Sequence, residues 1–181
     1  MPEDRQPRSY EGLTVVLAVE APAWEDARLD DISAVAQSAF AAAARKIGLP
    51  DDISSEISLT LADDATVRAA NAEWRGKDTA TNILSFPMAG PGGAPGPLLG
   101  DLILAYETVA REAALEDKSL GAHFRHLLVH GFLHLVGYDH VEEAEAEAME
   151  RLEVEILAEL GIANPYAEDD PEPPHVTAVQ R

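Results

Sequence analysis

The chain contains no cysteine, which excludes disulfides, thiolate metal ligands and cysteine nucleophiles together. Any transition-metal site must be built from histidine and carboxylate, and imidazole suits zinc. Basic residues are scarce: 13 Lys and Arg stand against 33 Asp and Glu, a net charge of −20. Such a balance argues against non-specific nucleic-acid binding, which needs positive potential near the phosphates. The acidity is uneven, however. Residues 142–172 hold 12 acids and one base, Arg151, whereas residues 65–126 hold 7 acids and 6 bases. Long apolar runs are also missing, and none approaches the roughly 20 residues of a membrane span. The segment Met1 to Tyr10 is polar, carries charges of both signs and lacks the apolar core of a secretory signal. A cytoplasmic protein is the expectation. The 181 residues suit one domain with a sizeable core.

What is present organises into an α+β pattern. Leu13 to Val19 is rich in β-branched residues and reads as a strand. Asp30 to Ile47 is alanine-rich with apolar residues at helical spacing, stopped by Gly48-Leu49-Pro50. Ile57, Leu59 and Leu61 alternate with Ser58 and Thr60, the pattern of a half-buried strand. A short helix follows from about Ala65 to Trp74, begun by Asp63 or Asp64 and ended near Gly76. Asn82 to Pro87 and Leu98 to Ala105 read as strands of a hairpin, joined across an exposed loop at Ala89 to Pro97. Helices are expected at Thr108 to Glu116, Leu120 to Val136 and Val141 to Leu160. The expectation is one α+β domain over residues 11–164, a roughly four-stranded sheet covered by about five helices. A flexible segment, 1–10, precedes it, and an acidic, proline-rich, disordered tail, 165–181, follows.

The segment that carries chemistry is His130-Gly131-Phe132-Leu133-His134-Leu135-Val136-Gly137-Tyr138-Asp139-His140. Two histidines four apart on a helix project from one face and can share an ion. A continuing helix would carry His140 away from them, so Gly137 is expected to stop the helix and let the chain fold back. Three neutral imidazoles leave a position open on the ion, the layout of a catalytic zinc. The carrier helix is apolar nearly all round and is expected to be central and buried. His123, His126, His130 and His134 form one narrow polar stripe along it. A lone histidine there is more often an ordinary one on a helix flank. His123 is set apart from the ligands, and His126, though placed to support or replace a ligand, is expected to be packed or solvent-facing. The spacing H-x-x-x-H-x-x-G-x-x-H is shared with metzincin proteases. Those enzymes carry a glutamate base directly after the first histidine, where this chain has Gly131. A zinc hydrolase of another class, such as a peptidase, remains an alternative without that base.

HGFLHLVGYDH resembles the signature of the YbeY endoribonucleases, bacterial factors in rRNA maturation and ribosome quality control. Asn71-Ala72-Glu73-Trp74-Arg75-Gly76-Lys77-Asp78, followed by Thr81-Asn82-Ile83-Leu84-Ser85-Phe86-Pro87, agrees with a second family segment, and Leu99-Gly100-Asp101-Leu102-Ile103 with a third. The resemblance spans roughly Leu13 to Gly161. It implies one Zn2+ per chain on His130, His134 and His140, Arg75 as the functional arginine, and cleavage of single-stranded RNA. It further implies action at the 3′ end of 16S rRNA and association with the small ribosomal subunit and its assembly factors, with neither DNA nor membrane as partner. A non-catalytic ribosome assembly factor, with zinc serving the fold, is a third reading. The family usually has aspartate where this chain has Asn82, and the acidic C-terminal extension lies outside its pattern.

A guanidinium offers planar, bidentate hydrogen bonding to phosphate, which suits the role implied for Arg75. Lys77 reads as a solvated loop charge and Ser85 as structural. Asp139 with Glu142 is expected to cap the last helix rather than take part in chemistry.

Overall fold

The computed structural model describes residues 9–88, 96–138 and 142–166. Four strands, β1 (Leu13–Val19), β2 (Ser55–Ala62), β3 (Ile83–Pro87) and β4 (Leu98–Ala105), form one sheet in the order β1-β2-β4-β3. Strands β1, β2 and β4 run parallel, and β3 pairs antiparallel with β4, as the hairpin pattern requires. Among the described residues six helices accompany them: α1 (Ala23–Asp26), α2 (Ile32–Ile47), α3 (Asp64–Arg75), α4 (Tyr106–Leu115), α5 (Leu120–Leu135) and α6 (Glu143–Glu159). The addition to the expected five is α1, a single turn whose Trp24 is fully buried and donates through Nε1 to the Ala62 carbonyl at 2.8 Å. Too short for any periodicity, it is held by that tertiary contact.

The main core lies between one sheet face and α2, α5 and α6. Ile57, Leu59, Leu61, Leu102 and Leu104 meet Phe40, Phe124, Phe132 and Leu133 there. The alanine run Ala41 to Ala44 is wholly buried. Its small side chains let helices approach closely, so that Phe40 stacks on Phe132 with ring centroids 5.5 Å apart. A smaller cluster under α3, around Val67, Leu84 and Ala105, covers the other face beside β3.

Local signals explain most boundaries. Asp63 caps α3 by accepting from Thr66 N–H at 2.8 Å, and Gly76 ends it at φ 72°. At the start of α6, Glu142 takes the N-cap, and its N–H donates to Glu145 Oε1 at 3.4 Å. The capping expected of Asp139 and Glu142 is thus made three residues later, and Asp139 lies outside the described residues. No helix among the described residues is long and apolar enough to cross a membrane.

Of the expected tail, residues 167–181 lie outside the described residues. Its first two are anchored: Lys118 Nζ donates to the Pro165 carbonyl at 3.0 Å, and Tyr166 packs against α5 and α6. Composition placed both residues in the tail because it carries no record of what a segment touches.

Candidate active site

Helix α5 runs through the centre of the molecule and presents His130 and His134 one turn apart on one face. It ends at Leu135 because Gly137 adopts φ 104°, a conformation that costs an L side chain energy and glycine little. The Tyr138 N–H returns to the Leu133 carbonyl at 2.9 Å, satisfying one of the helix's terminal acceptors. That turn also brings the Tyr138 carbonyl onto His134 Nδ1 at 2.9 Å. A carbonyl only accepts, so His134 carries its proton on Nδ1.

His130 is fixed the same way by a stronger partner. Its Nδ1 lies 2.6 Å from Glu153 Oε2, a carboxylate contributed by α6 and 1% exposed. Both rings therefore donate from Nδ1 and turn Nε2, as an acceptor, toward one point. The two Nε2 atoms are 3.1 Å apart. Two lone pairs facing each other at that distance repel unless a proton or a metal cation lies between them. Tetrahedral zinc, with bonds of about 2.0–2.1 Å to imidazole, separates two such nitrogens by roughly 3.3 Å. The donor set therefore fits the metal that the resemblance implies. His140, the third imidazole of that set, lies outside the described residues.

The sequence reading passed over Glu153. It sits on the apolar stripe of α6 with Met149, Ile156 and Leu157, all buried, and a carboxylate at such spacing was the available signal. Its other oxygen, Oε1, accepts from His126 Nε2 at 2.9 Å and from the Tyr166 hydroxyl. Burial alone would push this carboxyl up, but hydrogen bonds from His126, His130 and Tyr166 outweigh burial and hold it down to about 2. Burial and the facing Glu153 push the Tyr166 hydroxyl up in turn. His126 is thus packed rather than solvent-facing, and its Nε2 is engaged by Glu153.

His130 and His134 form one wall of a cleft of about 750 Å³, which Arg75, Lys77, Asn82 and Ser85 also line. The structure therefore brings Arg75 and the two described histidines to the same cavity. Arg75 leaves the last turn of α3, donates from Nη2 to the Ser85 carbonyl at 2.7 Å, and lies over the Phe86 ring at 5.4 Å. These contacts hold the guanidinium while engaging one of its five donors. Asn71 shapes the neighbouring loop by donating to the Thr79 carbonyl at 2.9 Å. Ser85 contributes its carbonyl to Arg75 and is 8% exposed, in line with a structural role.

Asn82 donates from Nδ2 to Glu112 Oε1 at 3.0 Å, and the same oxygen lies 2.9 Å from His123 Nε2. An aspartate at position 82 would face a second carboxylate across that gap, so the amide matches its partner. Asn82→Asp is expected to cost roughly 1 kcal/mol at neutral pH, a Tm about 2–4 °C lower. Asn82→Asp/Glu112→Gln is expected to recover it by restoring a donor–acceptor pair. Thermal denaturation of the four proteins of this cycle is the check; equal Tm for Asn82→Asp and wild type would remove the pairing argument.

A scan against family models matches residues 20–161 to a family described as Endoribonuclease YbeY. The chain belongs to the YbeY family. Among its relatives, an Endoribonuclease YbeY from Rhizobium meliloti is 49% identical over 168 residues, covering 90% of this chain and 98% of that one. An Endoribonuclease YbeY from Agrobacterium fabrum is 48% identical over 166 residues, covering 88% and 98%. The solution structure of TM1509 from Thermotoga maritima shares the fold at a TM-score of 0.52 and 17% identity, covering 88% of this chain and all of that one.

In this YbeY-family chain the position that a metzincin gives to its glutamate base faces the sheet. A Cβ on Gly131 would lie 2.8 Å from both Ile83 Cδ1 and Leu102 Cδ2. Gly131→Ala is expected to be nearly neutral, because both obstacles are side-chain tips and alanine recovers about 1 kcal/mol of helix propensity. Gly131→Glu would force a carboxylate into that packed interface and is expected to cost about 3 kcal/mol or more, lowering Tm by roughly 6–12 °C. Calorimetry of the two variants tests this; a Glu variant as stable as wild type would reopen the position to a base.

Proposed function

We propose that this chain is a zinc-dependent endoribonuclease that cleaves single-stranded RNA, with one zinc on His130, His134 and His140 and with Arg75 as the catalytic arginine. Its place is rRNA processing in the cytoplasm, at the 3′ end of 16S rRNA, and ribosome quality control, in association with the small ribosomal subunit and its assembly factors. The observation that carries the reading is the 3.1 Å approach of two imidazole acceptors on the wall of a cleft that also holds a fixed guanidinium. Relatives of about half identity over nearly their whole length bear the name Endoribonuclease YbeY, which supports RNA as the substrate.

Each residue has a task that follows from its position. Arg75, braced by the Ser85 carbonyl and the Phe86 ring, binds the scissile phosphate and stabilises charge developing on its oxygens. His130 and His134 hold the metal through Nε2 while their Nδ1 protons fix the ring planes. Bound zinc supplies Lewis acidity. Lys77, on the cleft lining, adds positive charge in the near-neutral part of an acidic chain. Recognition through so few cations suits a site that grips one phosphate and leaves extended binding to a ribosomal partner.

The rival peptidase reading loses its base at Gly131, which has no side chain and packs on the sheet. Zinc-loaded protein incubated in parallel with single-stranded RNA and with unstructured peptide is expected to cut the RNA alone. Cleavage of peptide with the RNA left intact would overturn the assignment.

A further inference from the structure

Three groups converge on Glu153, and the four side chains together come from three separate parts of the chain. His126 and His130 belong to α5, Glu153 to α6, and Tyr166 to the segment after it. We propose that Glu153 is a positioning residue, which with His126 and Tyr166 fixes the His130 tautomer and so decides where the Nε2 lone pair points. The inference rests on the zinc reading only for its consequence; the tautomer itself follows from the hydrogen bonds.

A carboxylate can only accept, so each neighbour must bring a proton to it. His130 donates from Nδ1 to Oε2 at 2.6 Å, and Tyr166 donates its hydroxyl to Oε1. His126 Nε2, 2.9 Å from Oε1, is the third donor. That leaves His126 Nδ1 as an acceptor, and among the described residues this buried atom has no hydrogen-bond partner. The opposite tautomer would bury a donor there and leave Oε1 facing a lone pair, which costs more. Three donors on two oxygens explain how a carboxylate can be 1% exposed and still hold its charge.

The two histidines of the cleft are consequently held by unequal partners. His134 Nδ1 meets a neutral carbonyl at Tyr138, whereas His130 Nδ1 meets an anion. Hydrogen bonding to a carboxylate makes the opposite ring nitrogen a stronger donor to a cation. Without Glu153, His130 would be able to place its proton on Nε2, within 3.1 Å of His134 Nε2. That proton would occupy the point where the two lone pairs meet. Glu153 therefore keeps the site open to a metal ion, although it lies 13 residues beyond the last histidine of the motif, His140.

Two variants separate this from a structural role. Glu153→Gln keeps one oxygen acceptor, for His130 Nδ1, removes the charge and turns an amide donor toward His126 and Tyr166. Glu153→Leu removes both acceptors at similar volume. The readouts are imidazole ¹⁵N spectra of the full chain stripped of metal, and zinc affinity by competition with a chelator. Wild type is expected to show His130 protonated on Nδ1. In Glu153→Leu the proton is expected to move to Nε2, with zinc bound about a hundredfold more weakly. Glu153→Gln is expected to keep the Nδ1 tautomer of His130 with a lower Tm, because its amide donor meets the His126 and Tyr166 donors, and to bind zinc about tenfold more weakly. A wild-type His130 protonated on Nε2, or a Gln variant that binds zinc as tightly as wild type, would overturn the proposal. If Glu153→Leu does not fold, the Gln variant decides. Should wild type take up no zinc while showing the Nδ1 tautomer, the positioning role stands and the metal reading of the site falls.

Discussion

A His134→Ala chain is expected to purify without zinc and to cleave single-stranded RNA at least about a thousandfold more slowly than wild type. The magnitude follows from the role: a Lewis acid contributes several kcal/mol of transition-state stabilisation, and each 1.36 kcal/mol is about tenfold in rate. The fold is expected to survive. His134 donates from Nδ1 to the Tyr138 carbonyl on the cleft wall, whereas the main core is made elsewhere, by the sheet against α2, α5 and α6. Metal content by mass spectrometry and circular dichroism should be read together with activity. Zinc retained at about one per chain in His134→Ala would show the ligand assignment to be wrong. Loss of zinc with RNA cleavage unchanged would instead remove the metal from the chemistry. His130→Ala/His134→Ala serves as the stricter control, since it removes both converging Nε2 atoms.

Arg75→Ala is expected to keep its zinc and lose about a hundred- to a thousandfold in cleavage rate, the usual loss when one preorganised donor to a developing negative charge is removed. The hydrogen bond to the Ser85 carbonyl and the contact with Phe86 are lost too, so a Tm lower by roughly 2–4 °C should accompany it. Arg75→Lys keeps the charge without the planar fork and is expected to recover only part of the rate. The same variant separates an enzyme from an assembly factor. Arg75→Ala that still binds the small ribosomal subunit but no longer cuts RNA would exclude a purely structural role in assembly. Full cleavage by that variant would take Arg75 out of the site, whatever its place on the cleft wall.

Much of this was legible because it is local. The i, i+4 pair at His130 and His134 needs only a helix to put both rings on one face, and Leu120 to Leu135 supplies it. Gly137 stops that helix for a reason carried by one residue, the ease of a positive φ. The spans of β1 and β4 agree with those read from the residues, and β3 and α5 agree to within one residue at an end. The turn at α1 was missed, since four residues held by one buried tryptophan show no period. The start of α6 shifted because Asp139 and Glu142 both satisfy the pattern of a cap, and the pattern alone does not choose between them.

The sequence by itself determined the element order, the hairpin, the helix that carries the histidines and the membership in a family, since each depends on periodicity or on residues adjacent in the chain. Only the tertiary structure decided the partners. Several glutamates crowd α6, and they look alike until packing turns Glu153 inward with Met149 and Ile156 and brings it onto two rings of α5, 23 and 27 residues away. The pairing of Asn82 with Glu112, the anchoring of Tyr166 and the burial of Gly131 against Ile83 and Leu102 are of the same kind. The physical reason is common to them. Hydrogen bonds and close contacts form between whatever atoms helix and sheet packing bring within a few ångströms, and that depends on the whole core rather than on any spacing along the chain.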